Sequence, residues 1–397
     1  MKKSKSILIV LTLLLVLVLP LALVGCDNNT GNEGTGGGNN SNTDSSTETA
    51  FTDIDGVPIT VTGKIDRIAC VGTGVLRMIT YAGVQDRIVG IEDTDTKPDN
   101  ELIKKPYTYA NKEAFRKLKA DGKSFGKGGG ANPMPNVTKL VELKPQVVFC
   151  SFIDQTALKT LRDQLNAFNI PVVKVFIDTD ISIPSARANI KKSFDIIGKI
   201  CDVEERCNAV NNKINEIFTD LDNRTKNITP NNTCYIGAIS YRGRHGIDWT
   251  YSNFSCLDAI NTKTITDVLY PDKKGGYQIN FEDIVNLNPK YIFVDISNKD
   301  LIKDNMTTKK EVINSIDAVK NGKVYSIISY NYYSTNIEYA FANSYYMGKI
   351  LYPEQFADVD MKQKINELTL FFDGVELYDT MQSFGLKYGT VDLNAIE

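Results

Sequence analysis

The sequence has almost no histidine and lacks the usual motifs of metal, nucleotide and hydrolase sites. His245 is the only histidine among 397 residues, no Cys-x-x-Cys pair occurs, and the cysteine spacings do not resemble a zinc site. No Gly-x-Ser-x-Gly elbow is present, and no Gly-Lys-Ser/Thr opens a predicted helix, so a serine hydrolase and an ATP site are both disfavoured. Carboxylates are plentiful, but no pair is marked out for acid–base chemistry. We therefore expect no catalytic residue, no metal site and no cofactor.

The chain also lacks an excess of positive charge. It has 45 basic and 48 acidic side chains, a formal net charge of −3 and no long basic run, which argues against nucleic acid as a partner. Seven cysteines are present. Six of them permit disulfides in an exported protein, but sequence alone assigns no pairing.

The N-terminus carries an export pattern. Lys2, Lys3 and Lys5 precede an uncharged apolar run over 7–19, as in a signal peptide, although a membrane-spanning helix of about 20 residues is the alternative. Leu23-Val24-Gly25-Cys26 resembles a bacterial lipobox, which implies cleavage of residues 1–25 and lipidation of Cys26. Residues 26–50 are mostly polar and predict a flexible tether. We expect a protein held by lipid on the outer face of the cytoplasmic membrane.

A helix–proline–strand unit occurs twice. Residues 136–149 and 280–293 both begin with Asn, continue with apolar residues at helical spacing, and reach a proline, Pro145 or Pro289, before an apolar run. Proline ends a helix, and the apolar run is typical of a buried strand. A unit repeated this far apart predicts two similar α/β lobes with a cleft between them.

The alternation of patterns predicts an α/β protein of two Rossmann-like lobes. We place the N-terminal lobe at 51–201, a connecting helix at 202–227 and the C-terminal lobe at 228–397. Asp202 and Glu205 resemble a capping box for the connecting helix. A strand is expected over Arg87–Ile91 and an irregular segment over Ser240–Ser255.

Together these features resemble the substrate-binding lipoproteins of ABC importers for iron–siderophore, heme and cobalamin complexes. The resemblance extends over about Ile65–Phe372 and includes Arg67–Val71, both repeat copies, and the segments Val319–Tyr325 and Tyr345–Pro353. It implies a monomer whose lobes are joined by one rigid helix and which docks on an ABC permease through a glutamate on each lobe. Glu282 occupies that position in the second lobe. The first lobe has Thr138 there, with Glu142 one turn further on as a substitute.

The densest candidate for a ligand site follows a predicted strand of the second lobe. Residues 241–251 combine two arginines, the only histidine, the only tryptophan and two tyrosines, and ligands of α/β sheets bind beyond the carboxyl ends of strands. Arginine offers bidentate bonds to oxygen-rich anions, and aromatic rings add flat apolar surface. The alternative is a solvated loop. Candidate ligand-binding residues are Tyr241, Arg242, Arg244, His245, Trp249, Tyr251, Thr73, Arg77 and Tyr332.

Three of these candidates lie outside that segment. Thr73 is in a Gly-Thr-Gly strand-to-helix turn that suits an anion, and Arg77 lies one turn into the next helix, facing either the cleft or water. Tyr332 follows another predicted strand, with core packing as the alternative role. Phe125–Gly130, rich in glycine, is expected at the rim of the cleft.

The expected function is capture of a small iron chelate, a ferric siderophore first and heme or a corrinoid second, for delivery to the permease. A lipid-anchored hydrolase or adhesion module remains the alternative of another class.

Overall fold

The computed structural model describes residues 48–178, 180–230 and 233–396. The predicted signal peptide, the lipidation site at Cys26 and residues 26–47 of the predicted tether lie outside the described residues. The last three residues of the predicted tether, 48–50, belong to a strand. In the described part of the chain, no helix is both long enough and apolar enough to cross a membrane.

Thirteen strands are found within the described residues. In chain order they are β1 Glu48–Thr52, β2 Pro58–Thr62, β3 Ile68–Val71, β4 Ile91–Glu92, β5 Ser124–Gly126, β6 Val147–Cys150, β7 Val172–Lys174, β8 Cys234–Gly237, β9 Trp249–Tyr251, β10 Gly276–Gln278, β11 Tyr291–Asp295, β12 Val324–Ile327 and β13 Gly389–Thr390.

Sixteen α-helices are described alongside short 3-10 turns at Gln85–Arg87, Asp93–Thr96, Ile296–Asn298 and Leu393–Ala395. The helices are α1 Val75–Tyr81, α2 Asp99–Leu102, α3 Pro106–Ala110, α4 Lys112–Ala120, α5 Val137–Glu142, α6 Gln155–Asn166, α7 Pro184–Cys201, α8 Glu204–Thr225, α9 Ser255–Asp258, α10 Ile265–Leu269, α11 Phe281–Leu287, α12 Lys299–Asn314, α13 Asp317–Lys320, α14 Ile337–Leu351, α15 Met361–Asp373 and α16 Tyr378–Ser383.

Each lobe is built on a parallel sheet. In the first lobe the strand order is β3-β6-β7, and β4 pairs with β5 beside it. In the second lobe the order is β13-β12-β11-β8, with only β13 antiparallel. Strands β3, β6 and β8 are fully buried, as parallel strands covered by helices on both faces are. Their carboxyl ends define the edge of each sheet where a ligand is expected.

The repeated unit folds alike in both lobes. Helix α5 leads to β6 and helix α11 leads to β11. The Asn136 side chain caps α5 by accepting a 3.1 Å hydrogen bond from the Lys139 amide, whereas Asn280 makes no such cap. Leu140 and Ile284 occupy the same position of the two helices, and both are fully buried.

Helix α8 joins the two lobes. It follows α7, packs against it, and leads into β8 of the second lobe. Its apolar positions are buried at helical spacing, namely Cys207, Val210, Ile214, Ile217 and Leu221. The predicted capping box is wrong: Asp202 has a left-handed backbone (φ 53°) that ends α7, and Val203 precedes α8 without a side-chain cap.

Two further predictions of local structure are wrong. Residues 85–87 form a 3-10 turn and the strand there is only Ile91–Glu92, although Ile88 makes one bridge to Ile68. The segment expected to be irregular contains β9, which pairs antiparallel with β10. Both strands are too short for their alternation to stand out in the sequence.

Candidate functional site

A cavity of about 440 Å³ lies between the lobes, at the carboxyl ends of their strands. The first lobe contributes Thr73, after β3, and Gly130. The second lobe contributes the remaining lining residues, which follow β8 and β12: Ser240, Arg242, Gly243, Arg244, Asn331, Tyr332 and Tyr333. Four of the predicted ligand residues therefore lie on one cavity, namely Thr73, Arg242, Arg244 and Tyr332.

Arg242 presents a free guanidinium to this cavity. Its side chain is exposed, and within the described residues no carboxylate pairs with it; its recorded contact is with the Tyr241 ring, 5.3 Å from the guanidinium carbon. The backbone at Arg242 is left-handed (φ 53°), which is uncommon for an arginine. The turn closes through a 2.9 Å hydrogen bond from the Tyr241 amide to the Gly243 carbonyl, and it lies beyond the end of β8.

Arg244 is anchored within the second lobe. Its guanidinium donates to the Asn298 side chain at 3.0 Å and to the Ser297 carbonyl at 3.2 Å, and it pairs with Asp300. Burial opposes ionisation of Asp300, but the contact with Arg244 outweighs it and lowers the pKa of that carboxyl. Arg244 is half exposed, so it combines a fixed position with access to the cavity.

The aromatic residues of the cluster support the turn from behind. The His245 ring stacks on Trp249 with centroids 3.7 Å apart, and its Nε2 is 2.8 Å from the Tyr241 carbonyl. Tyr241 meets Tyr251 edge to face at 5.4 Å. Tyr251 lines a second, far smaller cavity together with Phe254 and Asp295, and burial raises the pKa of Tyr251 to about 12. The structure thus brings Tyr241, His245, Trp249 and Tyr251 beside the main cavity without placing them on its lining.

Arg77 lies elsewhere. It is fully buried and joins the first lobe to the loop after β12: its guanidinium donates to the carbonyls of Tyr332 and Tyr333, each at 3.1 Å, and to the Asn336 side chain at 2.7 Å. Its charge also lies 4.8 Å from the Tyr107 ring. These bonds occupy both terminal nitrogens of the guanidinium, while its buried Nε has no hydrogen-bond partner among the described residues. This geometry makes Arg77 a tie between the lobes.

The loop over 331–336 crosses from the second lobe to the first. Tyr333 and Ser334 both have left-handed backbones (φ 54° and 74°), a strained pair for residues other than glycine. The Ser334 hydroxyl donates to the Ile177 carbonyl at 3.2 Å and that of Thr335 to the Asp178 carbonyl at 3.0 Å. A β-carbon on Gly74 would lie only 3.0 Å from that of Ser334, so glycine at this position permits the close approach.

Tyr332 closes one end of the cavity. Its hydroxyl donates to the Glu101 carboxylate of the first lobe, and Lys104 pairs with the same carboxylate at 3.0 Å. Burial opposes ionisation of Glu101, but these two hydrogen bonds outweigh it and lower its pKa. Tyr333 lines the cavity with its neighbour, whereas Tyr330 is buried in the core beside Phe254.

On the first lobe, the Gly-Thr-Gly turn is partly occupied by an internal group. The Gly72 amide is 3.4 Å from Oε1 of Glu92, a buried carboxyl at the end of β4. The Ser151 hydroxyl donates to the Thr73 carbonyl at 2.8 Å. Because α1 has only seven residues, its N-terminus alone gives little basis for an anion site.

The two predicted docking glutamates are on the outer surface. Glu282 is the second residue of α11, with its side chain 65% exposed and Lys309 4.0 Å away. Glu142 ends α5 and is exposed, as is Thr138.

Sequence reasoning missed four residues at or beside the cavity: Ser240, Asn331, Glu92 and Glu101. The first three follow or end strands, so the strand-end rule that selected Arg242 applies to them also. Glu101 carries no such signal, since it lies in the short helix α2. Within the described residues, no group of three or more His, Cys, Asp or Glu side chains is placed to hold a metal ion.

Comparison with known proteins agrees with this geometry. A family model described as periplasmic binding protein matches residues 68–330. No curated protein matches the chain.

Several solved structures share the fold. A periplasmic solute binding protein from Veillonella parvula is 19% identical, with a TM-score of 0.65 over 86% of this chain and 97% of that chain. The TroA-like periplasmic binding protein FepB from the same organism is 20% identical, with a TM-score of 0.60 over 82% and 95%. The molybdate periplasmic binding protein MolA from Haemophilus influenzae is 18% identical, with a TM-score of 0.60 over 83% and 98%. At such identities the likeness shows the fold alone.

Proposed function

The chain belongs to the periplasmic binding protein family of ABC-importer solute-binding proteins, and from that premise we propose that it captures an anionic iron chelate, a ferric siderophore first, in the cavity between its lobes. Proteins of this family bind small solutes for transport and are not enzymes. The proposal adds the ligand, the lipid anchor at Cys26, the monomeric state and the residues that act.

The unpaired guanidinium of Arg242 at the cavity is the observation that carries the proposal. An exposed arginine with no carboxylate partner among the described residues, facing a 440 Å³ space, is suited to an oxygen-rich anion, to which its planar donors bond in pairs. Arg244 adds a second guanidinium from the same turn, although its charge is already paired with that of Asp300. Tyr332, Tyr333 and Thr73 supply flat surface and hydroxyl groups around them.

The fold does not choose the ligand by itself. MolA is described as bound to molybdate and the Helicobacter pylori protein CeuE as a nickel–histidine complex, so one architecture holds different solutes. A ferric siderophore is favoured here because the cavity combines two guanidinium groups with tyrosine rings, which suit a bulky anionic chelate better than a bare ion. Heme or a corrinoid remains the second candidate on the same grounds of charge and flat surface.

The test is a binding screen followed by arginine variants. Trp249 is the only tryptophan, and its stack on His245 connects it to the Tyr241–Arg244 turn. Quenching of its fluorescence should therefore report the binding of ferric catecholates, ferric hydroxamates, ferric citrate, heme or cobalamin. Arg242→Ala and Arg244→Ala should each weaken the binding of the best chelate more than tenfold, because losing a bonded charge partner typically costs about 2–5 kcal/mol.

Arg116→Ala is the matched control, since Arg116 pairs with Asp99 in the first lobe, does not line the cavity and should leave affinity unchanged. Binding that survives both cavity variants would refute the site. Binding of none of the chelates would refute the iron-complex proposal and leave the family membership intact.

A further inference from the structure

The rim of the cavity contains a loop with three consecutive glycines. Gly128, Gly129 and Gly130 follow Lys127 and all have left-handed backbones (φ 65°, 77° and 80°). We call residues 127–130 the glycine loop. Its last residue lines the cavity, and the Lys127 carbonyl accepts a 3.0 Å hydrogen bond from the Thr94 amide.

The glycine loop is wedged between the two lobes. A β-carbon on Gly128 would lie 2.7 Å from the carboxyl carbon of Glu92 in the first lobe, and one on Gly129 would lie 2.7 Å from the Tyr333 ring in the second lobe. Both distances are too short for any side chain. The loop therefore covers the Glu92 carboxyl on one side and touches a cavity-lining ring on the other.

Glu92 is a buried acid with little compensation for a charge. It is 5% exposed, and its one recorded hydrogen bond is the 3.4 Å contact from the Gly72 amide. Burial, and then repulsion from Asp95, raises the pKa of Glu92 to about 8, while the Gly72 amide and Lys105 act in the opposite direction. Lys105 is itself paired with Asp95 at 2.8 Å, so its charge is already balanced.

The other titratable groups around Glu92 do not relieve it. Three groups on the elements around it interact with its charge: Cys70 on β3, Cys150 on β6 and Tyr107 on α3. A charged Glu92 raises the pKa of each of them and so favours its neutral form. An ionised Glu92 is therefore surrounded by neutral groups and by the Asp95–Lys105 pair.

We propose that Glu92 is the positioning residue for the glycine loop: its neutral carboxyl allows the loop to close against the first-lobe wall of the cavity, and its ionised form opens the loop. The inference rests on the proposed function only in that the loop borders the cavity where the solute is held. It adds that protonation of Glu92 controls the opening of the glycine loop, which binding of a solute by Arg242 and Arg244 does not require.

The direction of the pH dependence follows from linkage. The Glu92 carboxyl binds its proton more tightly when the loop is closed than when it is open. In the open loop the carboxyl reaches water and has its ordinary pKa near 4.3. The ratio of open to closed loop therefore increases by up to tenfold per pH unit between about pH 4.3 and about pH 8. The upper limit is the pKa of Glu92 in the closed structure, and above it the ratio levels off.

Hydrogen exchange in the ligand-free protein tests this. Amide protection of a peptide spanning 126–131, corrected for the intrinsic pH dependence of exchange, should fall more than tenfold from pH 5.5 to pH 8. Glu92→Gln keeps the shape and an oxygen acceptor but cannot ionise, so its protection should stay constant over that range. A wild-type profile that is flat, or a Glu92→Gln profile that falls in the same way, would overturn the proposal.

A second variant covers the case in which Glu92→Gln does not fold. Gly128→Ala introduces a β-carbon against the Glu92 carboxyl and should lower protection of the glycine loop at every pH. Gly122→Ala is its control, because Gly122 has a similar φ of 75° and no atom within 4 Å of the added carbon. Equal protection of the glycine loop in both alanine variants would refute the wedged arrangement.

A ferric tris-catecholate then separates the two proposals. If it binds while exchange of the glycine loop is independent of pH, the Glu92 proposal fails and the proposed function stands. If exchange follows the expected profile but the probe and every other chelate fail to bind, the proposed function fails and the Glu92 proposal stands.

Discussion

Replacing Arg77 by methionine should destabilise the whole protein without removing a ligand contact. Methionine keeps an unbranched stem but no charge, so the carbonyls of Tyr332 and Tyr333 and the side-chain oxygen of Asn336 lose their donor. All of these groups lie in the strained loop that joins the lobes. Leaving a buried acceptor without its donor typically costs about 1–3 kcal/mol, so we expect the loss of all three bonds to cost about 3–5 kcal/mol.

The expected change in melting temperature follows from the size of the folded unit. The compact unit Ser46–Glu397 has roughly 350 residues, and an unfolding entropy of about 2.1 cal/mol/K per residue then converts that cost into a Tm lower by about 4–7 °C. Differential scanning calorimetry at pH 7 measures it. The midpoint of urea unfolding provides an independent check.

Arg242→Met is the matched comparison, since Arg242 is exposed and has no carboxylate partner among the described residues. It should lower the affinity for the chelate more than tenfold and leave Tm within about 1 °C, as expected for a surface substitution. Arg77→Met with an unchanged Tm and lost affinity would refute the structural role of Arg77 and restore it as a ligand contact.

Three further predictions concern anchoring, docking and motion. Cys26→Ser should release the protein from the membrane fraction or leave the precursor uncut; normal processing with unchanged retention would disprove the lipid anchor. Glu282→Arg should impair uptake by whole cells and leave ligand affinity intact. Glu354→Arg, at another exposed glutamate, should have no effect. A loss of ligand affinity in Glu282→Arg would mean that Glu282 does not act in docking. Small-angle scattering with and without chelate should show closure of only a few degrees, because α8 and the Arg77 bonds both join the lobes; a large compaction would contradict this.

The fold was largely predictable from the sequence because its main signals are local. The apolar spacing of α8, the buried strand β6 after Pro145 and the helix α1 after Gly74 each depend on neighbouring residues, and they occur where the pattern indicates. The capping box failed because Asp202 takes a left-handed backbone to end the preceding helix, a choice made by the packing of α7 on α8 rather than by the motif.

The site was only partly predictable because its geometry depends on distant parts of the chain. The strand-end rule placed Arg242 and Thr73 on the cavity, since sheet topology brings carboxyl ends together. It could not decide the role of Arg77, whose partners lie more than 250 residues further along the chain. Nor did the sequence show that Glu92 is covered by the glycine loop, because that contact depends on how the rim folds back.

The remote partners of Arg77 also have a consequence for the order in which the protein folds. Bonds separated by 255–259 residues have high contact order and form late, because the chain between them must be ordered first. A nascent first lobe therefore holds a charged guanidinium with no acceptors until the segment after β12 has been synthesised. Helices α1 and α3 meet around Arg77 and Tyr107, and they would then complete their packing only near the end of folding. The isolated first lobe is therefore a poor independent folding unit, although it has its own sheet and core.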